Sequence, residues 1–181
     1  DDSSGNGNHG IQNGGVDFSG NDRFGNANHA AIFDGSNDFI NINDHPSLQF
    51  DSLSVSAWIK LSDFGCCQPG IVSKHNASPN YGWGLSSHPA DSTVLGFYST
   101  DGSSLVGGYH YGDSQIELGE WHHIVWSYAN SEFTLYLDRD VIANYTGASA
   151  PLNNNLADML IGHVWGGEYF NGYIDDVSIY R

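Results

Sequence analysis

The first ten residues, DDSSGNGNHG, set the short oxygen-bearing side chains of Asp1, Asp2, Asn6 and Asn8 among Gly5, Gly7 and Gly10. Glycine lets such a loop curl and turn its own carbonyls inward, and a hard cation such as Ca2+ takes roughly 6–8 oxygens at once. A second patch of this character, FDGSND, carries Asp34 and Asp38, and Asp175 and Asp176 sit side by side in the last apolar stretch. Three acidic clusters far apart in sequence form the pattern of one metal clasp joining the two ends of the chain. The same residue types also build ordinary turns and water-facing carboxylates.

A second chemistry belongs to aromatic residues flanked by glycine: Tyr81 and Trp83 in NYGWG, Tyr109, His110 and Tyr111 in GGYHYG, and His163 and Trp165 in GHVWGG. Aromatic faces stack on the C–H surfaces of sugars, and a flanking glycine admits a ligand close to the backbone. Lys74 is one of two lysines, follows Ile71-Val72-Ser73, and is the expected hydrogen-bond donor on that surface. The competing expectation, that tryptophans fill a core, is preferred for Trp58, Trp121 and Trp126, which stand in continuous strands. For Trp83 and Trp165 both readings stand. Cys66 and Cys67 are the only cysteines and are neighbours; a vicinal disulfide, a reduced pair and a bond to another chain are all open to them.

No catalytic residue is expected. Paired carboxylates that flank a glycosidic bond would arise on a strand from an E-x-D-x-x-E pattern, which the chain lacks; its four glutamates, Glu117, Glu120, Glu132 and Glu168, are scattered. His122 and His123 are adjacent, so on a strand they point to opposite faces and do not readily share one ion.

Five Lys and Arg against 21 Asp and Glu give a net charge of -16, which opposes binding to nucleic acid or an anionic membrane. No apolar run is long enough to insert in a bilayer. The excess of Asp over Glu suits a secreted or cell-surface protein living with millimolar calcium.

The elements that must position these residues are strands. No segment shows helical spacing, whereas Leu53, Val55, Ala57, Ile59 and Leu61 alternate with Ser54, Ser56, Trp58 and Lys60. Similar stretches recur over 38–42, 81–85, 94–99, 121–128, 133–137, 159–163 and 173–180. A tight hairpin is predicted at Asp138 to Asp140, and Phe18, Phe24 and Phe33 are expected to anchor the Asn/Gly-rich first thirty residues by packing. Many short strands separated by Gly, Asn, Asp, Ser or Pro indicate an all-β antiparallel sandwich or jelly roll, with residues 1–181 as a single domain.

With DSSGNGNHG, DRFGNANHAAIFDGSNDFINI, SVSAWIK, GEWHHIVWSY, LYLD, LIG and FNGYIDDVSIYR in that order, the chain resembles the laminin-G-like, concanavalin A-like jelly-roll domains of bacterial secreted glycan-active enzymes and surface adhesins. The resemblance implies two curved antiparallel sheets packed face to face, in a domain excised from a longer secreted protein. It also implies a structural Ca2+ where the N-terminal loop, the FDG turn and the last strand meet. The implied ligands are Asp2, Asn6, Asp34 and Asp175 by side chain, with backbone carbonyls near His9 and Gly35; strand alternation points only one of Asp175 and Asp176 at the ion. The W-H-H segment is structural in the family.

The expected function is a non-catalytic carbohydrate-binding module, stabilised by calcium, whose partners are a polysaccharide or cell-surface glycan and the other domains of its parent chain. The expected ligand contacts are Trp83, Tyr81, Tyr109, Tyr111, His163, Trp165 and Lys74. A ligand-binding domain of a calcium-dependent adhesin and a structural spacer are the alternatives.

Overall fold

Alternating apolar and small polar residues satisfy their backbone as an extended strand with one face on a core. The computed structural model of the protein describes residues 1–75, 82–106, 108–147, 150–164, 166 and 169–181. Its first strands are β1 (Ile11–Asn13), β2 (Asp17–Gly20), β3 (Ala30–Asp34) and β4 (Phe39–Ile42). A 3-10 turn over Pro46–Leu48 leads to β5 (Leu53–Asp63), β6 (Gly70–Lys74), β7 (Trp83–His88), β8 (Thr93–Tyr98) and β9 (His110–Tyr111). The rest of the chain gives β10 (His122–Ala129), β11 (Glu132–Leu137), β12 (Asp140–Thr146), β13 (Met159–Ile161) and β14 (Asn171–Tyr180). They form two antiparallel seven-stranded sheets, ordered β1-β4-β13-β6-β7-β8-β9 and β12-β11-β10-β5-β14-β3-β2. This is the expected jelly-roll sandwich.

The core lies between the sheets. Leu53, Val55, Ala57, Ile59 and Leu61 are no more than 2% exposed, and each large apolar side chain buried this way stabilises by roughly 2 kcal/mol. Trp126 and Phe133 fill the same core. Two of the three expected aromatic anchors do not pack into it: Phe33 is 1% exposed, but Phe18 and Phe24 are 51% and 74% exposed. Phe24 instead lies under the Arg23 guanidinium at 4.5 Å.

The hairpin after β11 turns on Asp138 and Arg139, both at positive φ, with Leu137 opposite Asp140. That is the two-residue turn whose twist matches its strands. Asn130 and Ser131 make a second one between β10 and β11.

β6, β7 and β8 depart from simple alternation, for nearly every residue in them is buried. Their outer face is covered by a second apolar cluster, Leu95, Phe97 and Val164, with Leu105 packed against it. The two ends of the chain meet at the 3-10 turn. Asn8 Nδ2 donates to Ser47 Oγ at 2.9 Å, and Arg181 donates to the Ser47 carbonyl at 2.8 Å.

Candidate functional site

Because the outer face of β6 to β8 is apolar, the loops that cross it must bury part of that face, and the part left over is a hollow. A cavity of about 330 Å³ opens there. Phe97 and Val164 belong to the covering cluster, Tyr109 stands edge-on to Phe97 at 5.6 Å, and His75 meets Phe97 edge-on from another side at 5.0 Å. His88 closes one wall, its ring 4.7 Å from that of Tyr111 and its Nδ1 3.0 Å from Asp91 Oδ2. Cys66, Cys67 and Gln68 also line the cavity.

Burial lowers the pKa of His75 to about 4, so its ring is neutral near neutral pH. No Asp or Glu stands among the described residues lining the cavity. The hollow therefore offers apolar and aromatic faces with a few hydrogen-bonding groups, the neutral His75 ring among them, a composition suited to holding an uncharged ring.

Of the expected ligand contacts, Tyr109 lines the cavity and is 42% exposed, while Tyr111, 43% exposed, packs against His88 and is not among the lining residues. Trp83 does not. It is 2% exposed and stacks on Trp126 at 5.6 Å inside the core. Its flanking glycines have a packing role: a Cβ on Gly82 would strike the Lys74 carbonyl, and one on Gly84 the Phe97 ring. Lys74 is likewise 2% exposed. Its Nζ donates to Asp44 at 2.7 Å and to the carbonyls of Asn155 and Ala157 at 2.8 and 2.7 Å, tying buried loops together. The ring of His163 stacks on Tyr169 at 4.3 Å and lies 5.7 Å from Phe39, and His163 is not among the lining residues. Tyr81 and Trp165 lie outside the described residues.

Sequence reasoning passed over His75, His88 and Phe97. The available signal was Val94-Leu-Gly-Phe-Tyr98, apolar on both faces, which requires a cover on each side.

The implied calcium ligands do not assemble as one set. On β14, Asn171 is opposite Asp34, and Asp175 lies four residues further along, about 13 Å at the strand rise. Oxygens of one shell sit at roughly 2.3–2.6 Å from Ca2+, so Asp34 and Asp175 cannot share an ion. Asp34 instead accepts from the backbone N–H of Ser36 at 2.8 Å, and the neighbouring Gly35 N–H donates to the Phe170 carbonyl at 3.0 Å. Asp2 accepts from Ser4 N, Ser4 Oγ and Asn8 N at 2.8, 2.8 and 3.0 Å, which holds its carboxyl at about 2. Asn6 bonds Ser4, and His9 Nδ1 accepts from Asp2 N. Among the described residues no three His, Cys, Asp or Glu side chains converge as a metal would need.

Strict alternation also fails at the acidic pair. Between Asp175 and Ser178 the last strand carries one residue more than β5 opposite it, and Asp176 takes φ 47°. This bulge brings both carboxylates to Arg23, at 3.5 Å and 2.7 Å. Asp1, Asp175 and Asp176 border a second cavity of about 390 Å³ near His29 and Phe18. The W-H-H histidines serve structure, His122 pairing with Asp138 at 2.7 Å and His123 lying against Trp58 at 5.0 Å.

A laminin-G family model described as the concanavalin A-like lectin/glucanases superfamily matches residues 34–181. Domain 4 of an extracellular arabinanase from Geobacillus stearothermophilus, solved with arabinotriose, superposes with a TM-score of 0.71 at 21% identity, over 93% of this chain and 76% of that one. The binding domain of Paraclostridial Mosquitocidal Protein 1 gives 0.75 at 17% identity, over 99% of this chain and 45% of that one. Mouse laminin alpha1 domains LG4-5 give 0.65 at 12% identity, over 83% and 40%. At these identities the likeness is one of fold. No curated protein sequence matches the chain.

Proposed function

The chain belongs to the concanavalin A-like lectin/glucanases superfamily, and from that premise we propose that it is a secreted, non-catalytic carbohydrate-binding module whose ligand enters the cavity beside Tyr109. The observation that carries this reading is the hollow itself: Phe97, Tyr109, His75 and His88 around a space of about 330 Å³, with no carboxylate among its described lining residues. Neutral sugar rings suit aromatic walls and the neutral imidazole of His75, and a charge of -16 turns nucleic acid away. The fold of a domain solved with arabinotriose supports the ligand class.

The calcium part of the reading is narrower than the sequence implies. A structural ion would draw on the N-terminal loop and the last strand, where Asp1, Asp175 and Asp176 border one cavity, and Asp34 and Gly35 take no part.

A glycan array that includes arabino-oligosaccharides, run in calcium and again in chelator, tests both parts. Binding that disappears in Tyr109→Ala supports the site. Silence across the array, with binding to protein or cells retained, would favour the adhesin. If chelation leaves the melting temperature unchanged, no structural ion is present, because a ligand of the folded state alone stabilises it by mass action.

A further inference from the structure

Cys66 and Cys67 stand at the rim of the same cavity, exposed, as two thiols whose Sγ atoms are 3.2 Å apart. The loop that carries them is held at both ends. Phe64 packs on the main core, Gly65 N–H donates to Asp63 Oδ1 at 2.8 Å, and the Pro69 carbonyl accepts from Ser87 N at 3.0 Å. Gly65 and Gln68 bracket the pair at φ 67° and 71°. Two sulfurs in contact on an anchored turn need little motion to join.

Consecutive Cα atoms are about 3.8 Å apart across a trans peptide, below the roughly 4.4–6.8 Å that disulfides normally span, so a bond between neighbours is strained and readily reduced. Such a bond suits a reversible element better than a permanent staple.

We propose that Cys66 and Cys67 are a two-electron thiol/disulfide pair that sets the shape of the cavity wall, the oxidised form being the one that grips a sugar ring. In exchange with a small disulfide such as oxidised glutathione, the two thiols lose two electrons and two protons and gain one S–S bond, while the partner's S–S bond breaks to give two thiols. The resulting ring is rigid and apolar beside Tyr109 and Phe97, whereas two thiols with no covalent bond between them keep side-chain torsions to lose; a wall fixed in advance loses less entropy when a ligand binds. The gain in affinity rests on the carbohydrate reading above, and the change of wall does not.

The test treats the whole protein with oxidised glutathione or with dithiothreitol and reads three quantities. Thiol titration and intact mass should show both thiols consumed with no glutathione adduct. The ring signals of His75 and His88 in NMR should shift between the two states. Arabinotriose, or the best array hit, should bind about tenfold tighter to the oxidised form, and Cys66→Ser/Cys67→Ser should bind like the reduced form whatever the treatment. Thiols that stay titratable, glutathione adducts, unmoved histidine signals or equal affinities in the two states each overturn the proposal. If no sugar binds in either state, the carbohydrate reading falls, and the thiol count and histidine shifts alone decide whether the switch stands.

Discussion

Arg23 Nη1 stands 2.7 Å from Asp176 Oδ2 and reaches Asp175 Oδ2 at 3.5 Å. One guanidinium therefore faces both carboxylates of the last-strand bulge, while its planar face covers Trp58 at 4.6 Å. Asp175 has a side chain only 12% exposed, and its pKa is raised first by burial and then by Asp176.

Arg23→Gln should therefore lower stability by about 2 kcal/mol at neutral pH. A carboxyl whose folded value lies above its unfolded value of 3.8 disfavours the folded state as pH rises through that window. The deficit should be largest at pH 7 and shrink as pH approaches 4, read as melting temperature against pH. A deficit independent of pH would show that Arg23 acts through packing alone.

Trp83 and Tyr109 should behave oppositely. Trp83→Ala removes a core ring stacked on Trp126 and should cost about 3–5 kcal/mol, with loss of binding following loss of fold. Tyr109→Ala touches a half-exposed ring and should change stability by no more than about 0.5 kcal/mol while removing glycan binding. Paired thermal melts and binding assays separate the two.

Lys74→Met should destabilise by about 3 kcal/mol, because the ammonium joins Asp44 to two carbonyls in a nearly dry site and its removal takes the countercharge from Asp44 and a donor from each oxygen, Gln49 Nε2 remaining on Asp44 and on the Asn155 carbonyl. Denaturant unfolding measures it; a loss under about 0.5 kcal/mol, the range of an ordinary surface change, would mean water replaces the ammonium.

His75 titrates near 4 in the folded protein against 6.5 unfolded, through burial. The unfolded chain takes up the proton more readily, so the stability this ring contributes is complete above 6.5 and lost as pH falls through about 4. An NMR titration should show a neutral ring down to about pH 5. A midpoint near 6.5 would place His75 in water and open the cavity floor.

The alternation from Leu53 to Leu61 and the Asp138–Arg139 turn were legible because each rests on local geometry. The glycine-flanked aromatics misled in part. At Trp83 the glycines admit the Lys74 carbonyl and the Phe97 ring, and only long-range packing decides whether such a gap receives a ligand or another strand. The expected ligand set came apart at Asp34 for a similar reason. Asp34 and Asp175 share a sheet, but their separation depends on the register of β3 against β14, which composition does not contain.

β14 holds the last strand of the chain, yet it lies between β5 and β3 in its sheet. The strands β12, β11, β10 and β5 on one side and β3 and β2 on the other are therefore joined into one layer only by residues 171–180. Such a sheet closes only when β14 docks between them, whatever order the other strands form in.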